Sequence, residues 1–170
     1  MNLFKGFSRS QCLCPLLVFL LLGWAQAARA RDMSARLGAG FVDEFSNSSG
    51  ARTVPAISLK YGLSKDLAVS GILGFNTSVP TAATFGGKLF RNLFFEQNLN
   101  FYAALGLAYV KGTNSGVELL GLLGAEFFIP GIESLGFSFE TGVSANNATG
   151  SFGIKTVGFT FLQAGMHFYF

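Results

Sequence analysis

Few residues in this chain are able to do chemistry, and their spacing argues against most kinds of it. The single histidine, His167, stands three residues from Phe170. HExxH, GxSxG and P-loop patterns are absent. Gly38-x-Gly40 and Gly86-Gly87 resemble fragments of phosphate loops, but no helical pattern follows them, so they read as small residues that relieve crowding in strands. Asp32, Asp43, Glu44 and Asp66 lie at loop or terminal positions without metal-ligand spacing. Asn47-Ser48-Ser49 and Asn147-Ala148-Thr149 match a glycosylation pattern that occurs by chance in polar loops. The expectation is therefore a non-enzyme with no catalytic, cofactor or metal residues. What remains is electrostatic: Arg36, Lys60, Lys88, Glu118, Glu126 and Glu140 each fall on the small-residue side of an alternating segment. If that side is enclosed, these charges need one another, because an unpaired buried charge is heavily penalised.

The elements that would position them are strands. Apolar and small residues alternate with period two, interrupted by clusters of Gly, Ser, Asn, Asp and Pro. Eight segments are predicted, near 33–42, 54–62, 67–76, 83–91, 98–110, 117–128, 135–144 and 155–170. Joints at 43–52, 77–82, 111–116 and 146–151 would share one end, and joints at 63–66, 92–97 and 129–134 would share the other with both termini. An even number of strands with this arrangement is an up-and-down pattern.

Composition agrees. Of 170 residues, 50% are hydrophobic and 12% charged, with 22 glycines, 20 phenylalanines and four prolines. Ordinary soluble domains carry roughly 25% charged residues, which disfavours a conventional soluble enzyme. Glycine weakens helices and aromatics favour pleated surfaces, so the bias is towards one all-β domain.

Residues 1–27 read as a secretory signal. Lys5 and Arg9 form the basic region, Leu13 to Gly23 the apolar run, and Ala25-Gln26-Ala27 the cleavage site, with cleavage after Ala30 as the alternative. The apolar run is too short for the ~20 residues of a spanning helix. Removing this segment takes away Cys12 and Cys14, and with them disulfide and thiolate chemistry. It also lowers the formal charge from +3 to ten basic against nine acidic residues, so no nucleic-acid footprint is left.

Side-chain size assigns the faces. Ile57, Leu59 and Tyr61 oppose Ala56, Ser58, Lys60 and Gly62, while Phe137 and Phe139 oppose Gly136, Ser138 and Glu140. Segment six is weaker, since Leu120 and Leu122 share a side with Glu118 and Glu126. An eight-stranded barrel has an interior only just wide enough for side chains, so the bulky face is expected outside and the small, ionisable face inside. Water would not tolerate such an apolar band, whereas lipid would, and closure satisfies the backbone there.

The last segment has apolar alternate positions Leu162, Ala164, Met166 and Phe168 and ends on Phe170. In this the chain resembles the small outer-membrane β-barrels of Gram-negative bacteria, the OmpA/OmpX-like family, over 28–170. Tyr61-Gly62-Leu63-Ser64-Lys65-Asp66-Leu67 is similar to a periplasmic hairpin of that family. The resemblance implies an all-β, eight-stranded antiparallel transmembrane barrel. It also implies that Leu162, Ala164, Met166, Phe168 and Phe170 form the signal read by the barrel-assembly machinery. Implied partners are outer-membrane lipid and lipopolysaccharide, with no nucleic acid, no cofactor and a monomeric state. Some such barrels are lipid A acyltransferases or deacylases, but they act from the outer leaflet, and His167 would lie at the periplasmic end. The function expected first is a structural, envelope-stabilising barrel with an ion-paired lumen. A narrow porin-like channel comes next, ahead of a soluble ligand-binding or surface-binding barrel and a lipid A enzyme.

Overall fold

The computed structural model describes residues 32–43, 56–77, 81–147, 150–157 and 163–170; the predicted signal segment 1–27 lies outside them. Among the described residues nine strand segments occur: β1 (Leu37–Val42), β2 (Ala56–Gly62), β3 (Leu67–Asn76), β4 (Ala82–Glu96), β5 (Leu99–Lys111), β6 (Ser115–Ile129), β7 (Ile132–Asn146), β8 (Gly153–Thr156) and β9 (Gln163–Tyr169). Each of β1 to β7 pairs antiparallel with the next; β8 and β9 both pair with β7, and β9 returns to β1. The result is a closed, eight-stranded, antiparallel barrel in which β8 and β9 share the eighth position.

The register fixes the barrel's shape. His167 pairs with Gly40 on one side and Gly136 on the other. Following partners from Gly40 through Ser58, Ile72, Gly86, Ala108 and Glu118 arrives on β7 at Asn146, ten residues beyond Gly136. Such stagger tilts the strands by roughly 40° and leaves a narrow interior.

The predicted segments differ from the strands at three places. The first expected strand began at 33, but β1 starts at Leu37. Asp32 Oδ1 accepts hydrogen bonds from the Ser34 amide at 2.9 Å and hydroxyl at 2.5 Å, and Ala35 takes φ +58°, so the chain turns before it pairs. The expected joints 92–97 and 129–134 are largely strand: β4 runs to Glu96 through a bulge between Asn92 and Phe94, and Pro130-Gly131 suffices to join β6 to β7. Gly131, at φ +87°, supplies the left-handed residue that so short a connection needs.

The third difference is the eighth strand. β8 pairs with Val143 to Asn146 and β9 with Leu135 to Glu140, so the two registers on β7 are separated by Thr141 and Gly142. Val157 is fully buried and donates its N–H to Gly142 O at 3.0 Å. The register shift of four residues is even, which preserves the alternation of faces.

Phe75, Phe85 and Leu105 point outward, each 66–68% exposed, whereas Ser58, Lys60, Lys88, Glu126 and Glu140 are buried inside. The interior is not confined to small and charged residues, however. Phe90, Tyr102, Leu120, Leu122, Phe128 and Tyr169 are buried there too, which settles the ambiguous sixth segment. Glycines in register with them on the adjacent strands make room for them. A Cβ on Gly124 would lie 2.6 Å from the Tyr102 ring, and one on Gly38 would lie 2.6 Å from the Tyr169 ring. Large and small side chains therefore interdigitate.

Candidate functional site

The charged residues that the sequence places on the inner face occupy three levels. Nearest the end that carries Phe170 and the short turns, Lys60 of β2 meets Glu126 of β6 at 2.8 Å. Tyr169 donates its hydroxyl to Glu126 Oε1 at 2.5 Å. Strands β2 and β6 are four apart in a ring of eight, so this pair spans the barrel's diameter. At the second level Lys88 of β4 meets Glu140 of β7 at 2.7 Å, and Tyr102 donates to Glu140 Oε1 at 2.7 Å. The Phe90 ring lies between the levels, with the Lys60 and Lys88 ammonium groups 4.5 and 4.9 Å from its centroid.

Sheet register explains the arrangement. Lys60 and Lys88 both pair with Ser70, so the two cations flank one small residue on one wall. Glu126 and Glu140 belong to neighbouring strands on the facing wall. Each ion pair therefore ties two walls together, with both partners at most 9% exposed. Phenolic hydrogen bonds to the remaining carboxylate oxygens supply the extra partners that a buried pair requires.

Two of the six charges behave differently. Glu118 lies at a third level, towards the longer loops, where it accepts a hydrogen bond from the Ser144 hydroxyl instead of joining a cation. Lys155 of β8 acts on it electrostatically. Arg36 precedes β1, is half-buried, and forms no ion pair among the described residues; it stands at the rim near Tyr169 because the Asp32–Ser34 turn delays the start of the strand. Tyr169 was missed as a network member, although its parity with His167 in the terminal alternation was the available signal.

His167 is buried and its Nε2 lies 3.0 Å from Ser58 Oγ. Gly40, which lies between them in the register, has no side chain to obstruct this contact. The distance suits a nucleophile and base. With Ser58 1% and His167 4% exposed, however, the pair serves as a link from β2 to β9. A cavity lined by Lys60, Asn100, Glu126 and Tyr169 has a volume of about 10 Å³, room for about one water molecule. Among the described residues no group of three His, Cys, Asp or Glu could hold a metal ion.

Of the terminal residues expected to form an assembly signal, Ala164, Met166, Phe168 and Phe170 all face outward, while Leu162 lies outside the described residues.

No protein-family model matches the sequence, and no curated protein matches it. Among solved structures, the N-terminal β-barrel domain of Pseudomonas aeruginosa OprF is similar to 82% of this chain and to 100% of that domain's chain, at 12% identity and a TM-score of 0.54. The likeness concerns the fold, and it agrees with the closed ring traced above: this chain has the OmpA-like, eight-stranded small-barrel architecture.

Proposed function

We propose that the protein is an integral outer-membrane barrel with a structural, envelope-stabilising role, whose lumen is closed by packed side chains and ion pairs. The observation that carries this is the outer wall. Large apolar side chains project from it around the ring, among them Phe41, Leu59, Leu73, Phe85, Leu105, Leu119 and Val143. On β5 the outward residues run from Leu99 to Tyr109, which at the strand tilt covers about 25 Å, the height of a lipid-facing band. The Leu99–Phe127 and Phe94–Phe101 pairings give the turn-end edge of this band a girdle of Phe94, Phe101, Phe127 and Phe137. The OprF domain's barrel fold supports the same reading. On this view residues 1–27 export the chain, lipid and lipopolysaccharide surround it as a monomer, and the barrel-assembly machinery engages the outward face of the terminal strand.

A narrow channel is the second reading. Ser70 Oγ, Thr84 Oγ1 and Asn100 Oδ1 are buried without a protein hydrogen-bond partner, as polar atoms lining a solvated path would be. Planar-bilayer recording on the refolded protein separates the two. The closed barrel gives no discrete openings in wild type or in Lys88→Ala and Glu140→Ala variants; reproducible unitary currents in wild type would replace it with the channel.

A further inference from the structure

The outer wall is not uniformly bulky. Between β4 and β7 a groove of about 670 Å³ opens outward, within the roughly 300–1,000 Å³ usual for small-ligand sites. Its floor is the wall itself at Ala103 and Gly121, where a Cβ added to Gly121 would meet only a methyl of Val143 at 3.8 Å. Leu89, Leu105 and Val143, all about half or more exposed, rise around it.

One rim residue breaks the apolar pattern. Arg91 lines the groove and is exposed, in register with Leu67 at the foot of β3 and with Ala103 on the floor. It forms no ion pair among the described residues. Leu67 directly succeeds the 63–66 turn, so the guanidinium sits near the turn-end edge of the apolar band, from which its long side chain can reach the headgroup layer. Thr141 is the groove's one other polar side chain.

We propose that this groove is a binding site for one anionic phospholipid of the leaflet at the turn end. The Arg91 guanidinium takes the phosphate, in the fork geometry that suits that group. An acyl chain lies over Ala103 and Gly121, where the missing side chains let it approach the barrel wall. The charge selects the lipid class, and the shape holds one molecule in place. Another outward recess of the wall, about 480 Å³ beside Gly87, has no charged residue in its lining.

The proposal rests on the membrane-barrel reading, and the test keeps the two apart. Refolded protein in detergent micelles is mixed with phosphatidylglycerol or phosphatidylcholine and examined by native mass spectrometry, while folding is read separately from the heat-dependent gel mobility of each sample. Wild type is expected to retain one phosphatidylglycerol. Arg91→Gln is expected to weaken retention about fivefold, the equivalent of one surface cation's attraction to anionic lipid. Gly121→Leu, which fills the recess and leaves the charge, is expected to weaken it as well. Excess glycerol phosphate should not displace the lipid, because the acyl chain is part of the site. Equal retention of both lipids by wild type, unchanged retention in folded Arg91→Gln, or a second copy of the chain held at the groove would overturn the proposal. Failure of wild type to fold in micelles would instead count against the membrane barrel itself.

Discussion

Removing one partner of the Lys88–Glu140 pair should cost far more than removing both. The two groups are 2.7 Å apart, with side chains 2% and 3% exposed, and Tyr102 holds the second carboxylate oxygen. Lys88→Met leaves the Glu140 carboxylate enclosed without its ammonium counter-charge, and Glu140→Gln leaves the Lys88 ammonium enclosed opposite a neutral amide. Breaking a buried pair in this way costs about 3–5 kcal/mol. In the double variant the charges vanish together, the methionine fills most of the lysine's volume, and the amide oxygen can still accept from Tyr102. Its loss should be about 1 kcal/mol or less, because a neutral replacement of similar volume is often tolerated. Urea titrations of the barrel refolded in lipid vesicles, monitored by gel mobility of unheated samples and by circular dichroism, give all four stabilities and the coupling energy. Single variants within about 1 kcal/mol of wild type, with additive losses in the double, would show a solvent-screened pair. A closed, ion-paired lumen would then be refuted.

Other perturbations read different parts of the structure. Gly124→Ala puts a methyl group 2.6 Å from the Tyr102 ring and should lower stability by about 1–3 kcal/mol, whereas Gly71→Ala, with nothing within 4 Å, should be neutral or slightly stabilising; urea midpoints compare them. Leu105→Arg, near the middle of the apolar band, should cost about 2–4 kcal/mol in vesicles, and Leu99→Arg at the edge about 0–1 kcal/mol; equal costs would contradict a lipid-facing wall. The Ser34 hydroxyl and amide, aided by Lys65, hold the exposed Asp32 carboxyl below its ordinary range. A depressed folded-state pKa contributes stability above the unfolded value that is lost as pH falls through the folded one. The 32–36 turn should therefore loosen only on acidification below the usual aspartate range, as read by amide shifts of Ser34, and Asp32→Asn should abolish that dependence.

Alternation is a local property, and its direct consequences were legible in the chain. Any run with Ile57, Leu59 and Tyr61 on one side and Ser58 and Lys60 on the other must send those sets to opposite faces of a pleated sheet. Their sizes say which face fits inside a narrow cylinder. Eight positions in the ring, the outward belt and the inward placement of Lys60, Lys88, Glu126 and Glu140 were accessible on that basis. The interruption between β8 and β9 was not, because a shift of four residues leaves parity unchanged. Nor could parity tell that Leu120 and Leu122 turn inward, since the glycines that accommodate bulky interior residues lie on other strands. Partner choice among the charges depends on height, and height depends on the ten-residue stagger that closes the ring. That stagger, a sum over all the registers, brings Lys60 to Glu126 and Lys88 to Glu140, aims two phenols at the same carboxylates, and leaves Arg36 at the rim.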